Sequence, residues 1–175
     1  MPAYKVKEMY YTLQGEGAHT GRPAVFCRYT GCNLRRGREE DRSKAICQFS
    51  DTDFWGMDGE NGGLYATAVE LAEKVIGLWP KENKLGHPYV VCTGGEPLLQ
   101  LDQELVDAFH QVGLQVAIET NGTIPAPEGI DWICVSPKAG AKLVQTHGDE
   151  LKLVFLQEGA EPQRFESMEF SHFYL

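Results

Sequence analysis

Long apolar runs and basic residues are both scarce in this 175-residue chain. No apolar run approaches the roughly 20 residues that a membrane-spanning helix needs, and the first residues lack the apolar core of a signal peptide. Lys and Arg number 16 against 25 Asp and Glu, and the net charge of −9 argues against a broad nucleic-acid or anionic-membrane surface. We therefore expect a cytoplasmic protein whose five cysteines are reduced and serve as ligands or buried apolar groups.

Two nucleotide-binding motifs are also missing. Neither Gly-x-x-x-x-Gly-Lys-Ser/Thr nor Gly-x-Gly-x-x-Gly opens a helix, so a P-loop or Rossmann interpretation loses its main support. With 42% hydrophobic and 23% charged residues, the composition is that of an ordinary globular protein, which excludes disorder, collagen and coiled coil. The length predicts a single domain that spans residues 1–175.

Periodicity predicts alternating strands and helices. Helices are expected at residues 66–79 and 101–112, where apolar residues recur on one face and Pro80 and Gly113 end the pattern. Short runs rich in Val, Ile, Phe and Tyr predict strands at residues 4–12, 24–30, 88–93, 115–119, 132–135, 150–156 and 173–175. Strand, helix, strand is the signature of right-handed βαβ units, so the sequence predicts an α/β fold with a parallel sheet.

Four polar, glycine-containing turns follow predicted strands. They are Leu13–Gly17, Thr93–Pro97, Thr120–Gly122 and Ser136–Lys138. The carboxyl ends of parallel strands meet at one edge of a sheet, where ligands bind, so we expect these turns to share that edge. Any one of them could be only a tight turn, but the four together favour a ligand site.

The charged residues near these turns indicate the kind of ligand. Glu96 and Glu119 can accept hydrogen bonds from an ammonium group or from ribose hydroxyls. Lys138 and Arg28 can each bind a carboxylate, Arg28 with a planar fork of donors. This combination suits a zwitterionic small molecule better than a nucleotide polyphosphate.

The cysteine spacing is close to that of an iron–sulfur site. A Cys-x-x-Cys pair with one distant thiolate is the usual way to hold three corners of a [4Fe–4S] cube, and Cys32 and Cys47 have such a spacing with Ser50 at the last corner. A serine hydroxyl is a hard ligand and a poor substitute for a thiolate on iron. Cys27 cannot easily replace it, because five positions along a strand is roughly 16 Å and places it on the opposite face. Two further cysteines lie inside apolar runs, where a buried, inert thiol is expected: Cys92 and Cys134.

These residues, taken together, match a known family in order and over essentially the whole chain. The chain resembles the 7-carboxy-7-deazaguanine synthases, radical S-adenosylmethionine (SAM) enzymes of the queuosine and deazapurine pathway. The long gap between Cys32 and Cys47 resembles the proteobacterial subgroup with an expanded cluster loop. The shared motifs are Tyr-Thr-Leu-Gln-Gly-Glu-Gly at 11–17, Gly-Arg-Pro-Ala-Val-Phe-Cys-Arg at 21–28, Gly-Cys-Asn-Leu at 31–34, Cys47 with Asp-Thr-Asp at 51–53, Thr-Gly-Gly-Glu-Pro at 93–97, Glu-Thr-Asn-Gly at 119–122 and Ser-Pro-Lys at 136–138.

The resemblance implies an incomplete TIM-like barrel of parallel strands with flanking helices, and a specific reaction. In the family, three thiolates hold a [4Fe–4S] cluster whose open iron is chelated by SAM. One electron cleaves SAM to a 5′-deoxyadenosyl radical, which takes hydrogen from C6 of 6-carboxy-5,6,7,8-tetrahydropterin. Ring contraction and loss of ammonia give 7-carboxy-7-deazaguanine, and SAM is regenerated. The protein positions and shields the cofactors.

The resemblance also assigns roles to residues of this chain. The cluster would be held by Cys32 and Cys47, with Ser50 at the third position, and Mg²⁺ would be bound by Thr52. The residues expected to contact SAM are Phe49, Ser50, Asp51, Gly95, Glu119, Ser136, Pro137 and Lys138. Those expected to hold the pterin are Leu13, Gln14, Gly15, Glu16, Arg28 and Thr93.

Further expectations concern partners and completeness. The family implies a homodimer, and an acidic electron donor such as a flavodoxin could dock on the charged run Arg35–Arg42, although a solvated loop is the commoner role for such a run. Family members continue beyond the position of Leu175 with a segment that reaches SAM and the pterin, and we expect that segment to be absent. Two other interpretations stay open: a SAM- or pterin-binding module without catalysis, and a structural zinc protein that adds His19 or His87 to the cysteines.

Overall fold

One eight-stranded sheet organises the chain in the computed structural model, which describes residues 3–36, 39–48, 52–82 and 86–175. The strands are β1 Tyr4–Leu13, β2 Pro23–Tyr29, β3 Gly63–Tyr65, β4 Tyr89–Gly94, β5 Gln115–Thr120, β6 Trp132–Val135, β7 His147–Lys152 and β8 Glu169–Tyr174. The α-helices within these residues are α1 Ala68–Leu78 and α2 Gln103–Gln111. Short 3-10 helices lie at Gly17–His19, Glu39–Lys44, Pro97–Leu99 and Pro162–Arg164.

The strand order is β3-β1-β2-β4-β5-β6-β7-β8. Six neighbouring strands, β2 and β4 to β8, run parallel. Two βαβ units, β2-α1-β4 and β4-α2-β5, supply the predicted crossovers. The predicted α/β fold is confirmed, and the sheet is open, as an incomplete barrel requires.

The predicted parallel arrangement does not extend to β1, and β3 is an additional antiparallel strand. Strand β1 lies between β2 and β3 and is antiparallel to both. The physical reason is the short connection 14–22 between β1 and β2, since a parallel crossover needs a dozen or more residues. Strand β3 was not predicted at all, because its three residues carry no alternating pattern.

The predicted helices start and end at recognisable caps. The Thr67 side chain accepts a hydrogen bond from the Glu70 amide at the start of α1, and Pro80 lies just beyond the end of that helix. After α2, the Gly113 amide donates to the His110 carbonyl at 2.9 Å and the Leu114 amide donates to the Phe109 carbonyl at 3.0 Å. These bonds satisfy carbonyls that the helix leaves free, which is the role expected of a C-terminal glycine.

The core lies between the sheet and its two helices. Helix α1 packs against β1, β2 and β3, α2 packs against β5, and the helices pack against each other. Tyr29, Leu71, Leu105, Phe109 and Ile118 are all fully buried there. Among the described residues no helix is long and apolar enough to cross a membrane.

Asp102 joins helix α2 to the first strand. Its Oδ1 atom accepts from the Leu105 amide at 3.0 Å and from the Tyr4 hydroxyl at 2.9 Å. We predict that Asp102→Ala lowers the free energy of unfolding by about 2 kcal/mol or more, because it removes a helix cap and leaves the largely buried Tyr4 without this acceptor. Urea denaturation is the measurement. The matched control Glu73→Ala, exposed on α1, should change that free energy by less than about 0.5 kcal/mol.

Candidate functional site

Parallel registry brings three of the four predicted turns to one edge of the sheet. Tyr29 pairs with Gly94, Cys92 with Ile118, and Thr120 with Val135. The turns Thr93–Pro97, Thr120–Gly122 and Ser136–Lys138 therefore follow strands that end side by side, as does the segment Gly31–Asn33 after β2. We call this edge the rim.

The fourth turn does not lie at the rim, and that prediction was wrong. Because β1 is antiparallel to β2, Leu13 pairs with Pro23 at the opposite edge of the sheet. The connection after β1 nevertheless reaches the polar residues of the sheet, since Gln14 Nε2 donates to Glu119 Oε1 at 3.1 Å. Gln14 is buried, whereas Leu13 is exposed.

Glu96 fastens the strand ends of the rim together. It is fully buried, and its carboxylate accepts from the Thr120 hydroxyl at 2.7 Å, from the Asn121 amide at 2.8 Å and from the Leu98 amide at 3.0 Å. Its own amide donates to the Gly31 carbonyl at 2.9 Å. Burial raises the pKa of Glu96, and these hydrogen bonds act against that rise. Three internal donors therefore already bind this carboxylate, and its role as an acceptor for a ligand stays a prediction.

The two glycines before Glu96 allow backbone segments to meet. Gly94 has a φ of 128°, and its Cα faces the backbone of Tyr29. A Cβ on Gly95 would collide with the Gly31 carbonyl and lie 2.9 Å from the Cβ of Cys32. The Gly-Gly sequence therefore serves the close approach of β4 to the segment that carries Cys32.

The thiols of Cys32 and Cys47 lie at the same rim. The Cys47 amide donates to the Leu34 carbonyl at 3.4 Å, which closes the loop between them, and the Leu34 amide donates to Cys32 Sγ at 3.5 Å. Burial raises the pKa of the Cys32 thiol, amide donors of Leu34 and Arg35 lower it, and the charges of Glu96 and Cys47 add to the rise. The two sulfur atoms are therefore close enough to influence each other electrostatically.

Lys138 completes this group. Its ammonium donates to the Ser136 hydroxyl at 2.6 Å and to the Ser136 carbonyl at 2.8 Å. Burial lowers the pKa of Lys138, while the thiols of Cys47 and Cys32 raise it and Lys152 lowers it further. The positive charge of Lys138 therefore lies close to both thiols.

An amide network, which the sequence did not predict, ties the Cys32 segment to the end of β5. Asn121 Nδ2 donates to Asn33 Oδ1 at 3.0 Å, and Asn33 Nδ2 donates to the Thr123 hydroxyl at 2.7 Å. The Thr123 hydroxyl in turn donates to Asn121 Oδ1 at 2.6 Å. The Asn-Gly dipeptide at 121–122 indicated only a turn, so the sequence carried no sign of the partner at residue 33.

Below the rim, polar side chains form a row on one face of the sheet. Arg28 pairs with Thr93, and the Thr93 hydroxyl donates to Glu119 Oε2 at 3.2 Å. Arg28 Nε donates to Glu8 Oε1 at 2.9 Å, so the fork that was expected to bind a ligand carboxylate contacts a carboxylate of the chain itself. Four residues of this row were not predicted from the sequence: Glu8, Tyr10, Glu150 and Lys152. The alternation of side chains along each strand could have indicated them, because every second residue points to the same face.

Some of the remaining predicted site residues lie outside the described part of the chain, and others lie near the rim or in open loops. Phe49, Ser50 and Asp51 lie outside the described residues. Thr52 is half-buried, and Phe54, two residues further on, accepts from the Gly31 amide at 3.2 Å, which attaches this segment to the rim. Gly15 has open space around its Cα.

The chemistry of the donor set fits an iron–sulfur centre in part. Two thiols, amide donors to one sulfur and a neighbouring lysine suit a metal–thiolate site. Within the described ranges, no group of three or more His, Cys, Asp and Glu side chains could hold a metal ion. The described residues therefore offer two thiols at the rim, which is fewer than a cluster needs from the chain. Beside the rim lies a cavity of about 150 Å³, lined by Asn121, Pro137, Lys138, Arg164 and neighbouring apolar residues.

Comparisons with known proteins give one consistent result. The chain is 60% identical over 174 residues to a 7-carboxy-7-deazaguanine synthase of Caulobacter vibrioides, which covers 98% of this chain and 81% of that protein. It is 59% identical over 170 residues to the protein of the same name from Burkholderia multivorans, covering 97% and 80%. The crystal structure of QueE from Escherichia coli superposes with a TM-score of 0.65 at 26% identity, covering 86% of this chain and 70% of that one. No protein-family model matches the chain.

The close approach at Gly95 can be tested by adding one methyl group. We predict that Gly95→Ala lowers the free energy of unfolding by about 1–3 kcal/mol, because the new Cβ displaces the backbone of Gly31 and Cys32. Gly77→Ala is the matched control, since its Cβ would meet open space on helix α1 and should raise that free energy by about 0.5–1 kcal/mol. Equal stabilities of the two variants in urea would contradict the packing described at the rim.

Proposed function

The chain belongs to the 7-carboxy-7-deazaguanine synthase family, and on that basis we propose that it converts 6-carboxy-5,6,7,8-tetrahydropterin into 7-carboxy-7-deazaguanine and ammonia with SAM as cofactor. The observation that carries the proposal is the position of Cys32, Cys47 and Lys138 at one rim, directly above the polar row of the sheet. A metal-bound cofactor at the rim would then face a substrate held on the row.

Cys32 and Cys47 would hold two irons of a [4Fe–4S] cluster. In the family, the cluster supplies the electron for reductive cleavage of SAM. The protein residues contribute the environment: amides of Leu34 and Arg35 donate towards the Cys32 sulfur, which tunes the potential of a bound cluster, and Lys138 adds positive charge nearby. The third family position is Ser50.

SAM would bind along the rim. Gly95 lies at the rim directly against the segment that carries Cys32, and the Ser136 hydroxyl and the Lys138 ammonium offer polar contacts to an amino acid carboxylate. Pro137 and Lys138 also line the rim cavity, whose apolar side could receive an adenine ring. Glu119, held by Thr93 and Gln14, could accept from ribose hydroxyls.

The pterin would lie on the polar row. Its carboxylate could exchange with Glu8 for the Arg28 guanidinium, because Arg28 offers several donors to carboxylates in one plane. Gln14, Glu16 and Thr93 supply acceptors and donors for the pyrimidinone edge of the ring. We further propose Mg²⁺ at Thr52, beside the substrate carboxylate, where a hydroxyl suits a hard cation that keeps several waters. An external electron donor and a homodimer complete the proposal and rest on the family alone.

A second candidate is a SAM- or pterin-binding module without catalysis. Its basis is the serine at the third family position, whereas the relatives of the chain are synthases and do not favour it. Anaerobically reconstituted protein, incubated with SAM, reductant and the pterin, separates the two by mass spectrometry of the products. Formation of 7-carboxy-7-deazaguanine supports the synthase, whereas binding of SAM without its cleavage supports the module. A zinc protein has no support from the described residues, because neither His19 nor His87 joins the thiols in a group of three.

The third cluster position can be tested by restoring a thiol. We predict that Ser50→Cys gives a higher iron and sulfide content after anaerobic reconstitution, with a stronger brown absorbance band, because a thiolate binds iron far better than a hydroxyl does. The original chain should give a labile or under-occupied cluster. Ser43→Cys is the matched control, since it adds a thiol in the same loop at a position that the family does not use. Equal iron content in the original chain and Ser50→Cys would contradict this assignment.

A further inference from the structure

Two side chains of strand β7 hold the connection 14–22 against the sheet. Glu150 and Lys152 lie two positions apart, so they point to the same face as Glu119. Glu150 Oε2 accepts from the Ala18 amide at 3.1 Å. Gly17, with a φ of 70°, lies directly against the Glu150 carboxylate, and a Cβ there would overlap with it. The connection is therefore fixed to β7 through its backbone.

Lys152 makes the second attachment through charge. Its ammonium donates to Glu16 Oε2 at 2.8 Å and to Glu119 Oε1 at 3.2 Å. The Lys152 side chain is 19% exposed and that of Glu119 is 23% exposed, whereas Glu16 is 71% exposed. Burial lowers the pKa of Lys152, but the charges of Glu119, Cys134 and Glu16 outweigh burial and raise it well above its ordinary value. The ammonium therefore stays protonated throughout the working pH range.

The two carboxylates that Lys152 joins belong to different parts of the site. Glu119 is fixed by three donors: Gln14 and Lys152 on Oε1 and the Thr93 hydroxyl on Oε2. Glu16 is attached less firmly and is open to solvent, so a ligand can reach it. Under the proposed function, Glu119 contacts SAM and Glu16 contacts the pterin.

We propose that Lys152 is a positioning residue that couples the two ligand sites, by holding Glu16 and Glu119 on one ammonium. This inference rests on the proposed function. When ribose hydroxyls of SAM bind Glu119, they compete with Lys152 for that carboxylate, so the shared ammonium pairs more strongly with Glu16 and the pterin binds to a carboxylate that no longer has to be ordered. By linkage the pterin strengthens SAM binding by the same factor.

The test compares pterin affinity with and without SAM, by calorimetry on anaerobically reconstituted protein. In the original chain SAM should tighten pterin binding by about fivefold or more, the lower limit typical of coupled sites. In Lys152→Met that factor should fall towards one. In Lys152→Arg it should be partly restored, because arginine keeps the positive charge and can donate to both carboxylates. The control Lys74→Met removes an exposed charge on α1 and should leave the factor unchanged. A general loss of stability would weaken both affinities without changing their ratio.

A second readout needs no ligand. Hydrogen exchange at the amides of residues 16–19 should be faster in Lys152→Met than in Lys74→Met, because the connection loses one of its two side-chain attachments to β7. Unchanged exchange would overturn the positioning role. An unchanged coupling factor in Lys152→Met would overturn the coupling.

The outcomes also separate this inference from the proposed function. If the original chain binds neither SAM nor the pterin, the proposed function fails. If it binds both and SAM tightens pterin binding equally in the original chain and in Lys152→Met, the proposed function stands and the inference about Lys152 fails.

Discussion

The buried carboxylate of Glu96 is the contact on which the rest of the site depends. A carboxylate removed from water is costly unless donors surround it, and here the donors come from the ends of β4 and β5. The same residue's amide binds the Gly31 carbonyl after β2. Glu96 therefore sets the spacing of three neighbouring strand ends. It also fixes Gly31, the residue that immediately precedes Cys32.

The site has two levels, which the sheet provides in different ways. The rim arises from parallel strands that end together and from glycines that let backbones touch. The polar row arises from registry, because Arg28, Thr93 and Glu119 stand side by side on neighbouring strands. The antiparallel strand β1 then sends its following connection across this row, where Gln14 and Glu16 meet side chains from distant strands.

The sequence predicted the strands and helices well because the pattern of apolar residues that specifies each element lies within its own residues. Apolar runs located seven of the strands, although two were misplaced along the chain. Strand β7 spans His147–Lys152 rather than 150–156, and β8 spans Glu169–Tyr174 rather than 173–175, since polar residues hid the start of each. The direction of β1 could not be seen in its residues, because only the length of the next connection decides it. The internal partners of Glu96 were hidden for a related reason: a glutamate in a glycine turn has the same sequence signature whether its partners are a ligand or the chain itself.

The long-range polar contacts were beyond sequence reasoning. Lys152 and Glu16 are 136 positions apart, and no pattern in either segment indicates the other. The Asn33–Asn121 contact is of the same kind. Such pairs become visible only when the topology places β7 near the connection after β1, or the Cys32 segment beside β5.

The central claim is that Glu96 assembles the rim that holds both thiols and SAM, and SAM affinity in Glu96→Gln tests it most directly. In either orientation the NH2 group of the new glutamine side chain would face a backbone N–H donor, that of Leu98 or that of Asn121, so the strand ends must separate. The account predicts at least tenfold weaker SAM binding by reconstituted Glu96→Gln, with less iron bound, whereas the exposed Glu104→Gln on α2 behaves like the original chain. Glu96→Gln with unchanged iron content and SAM affinity would contradict the account.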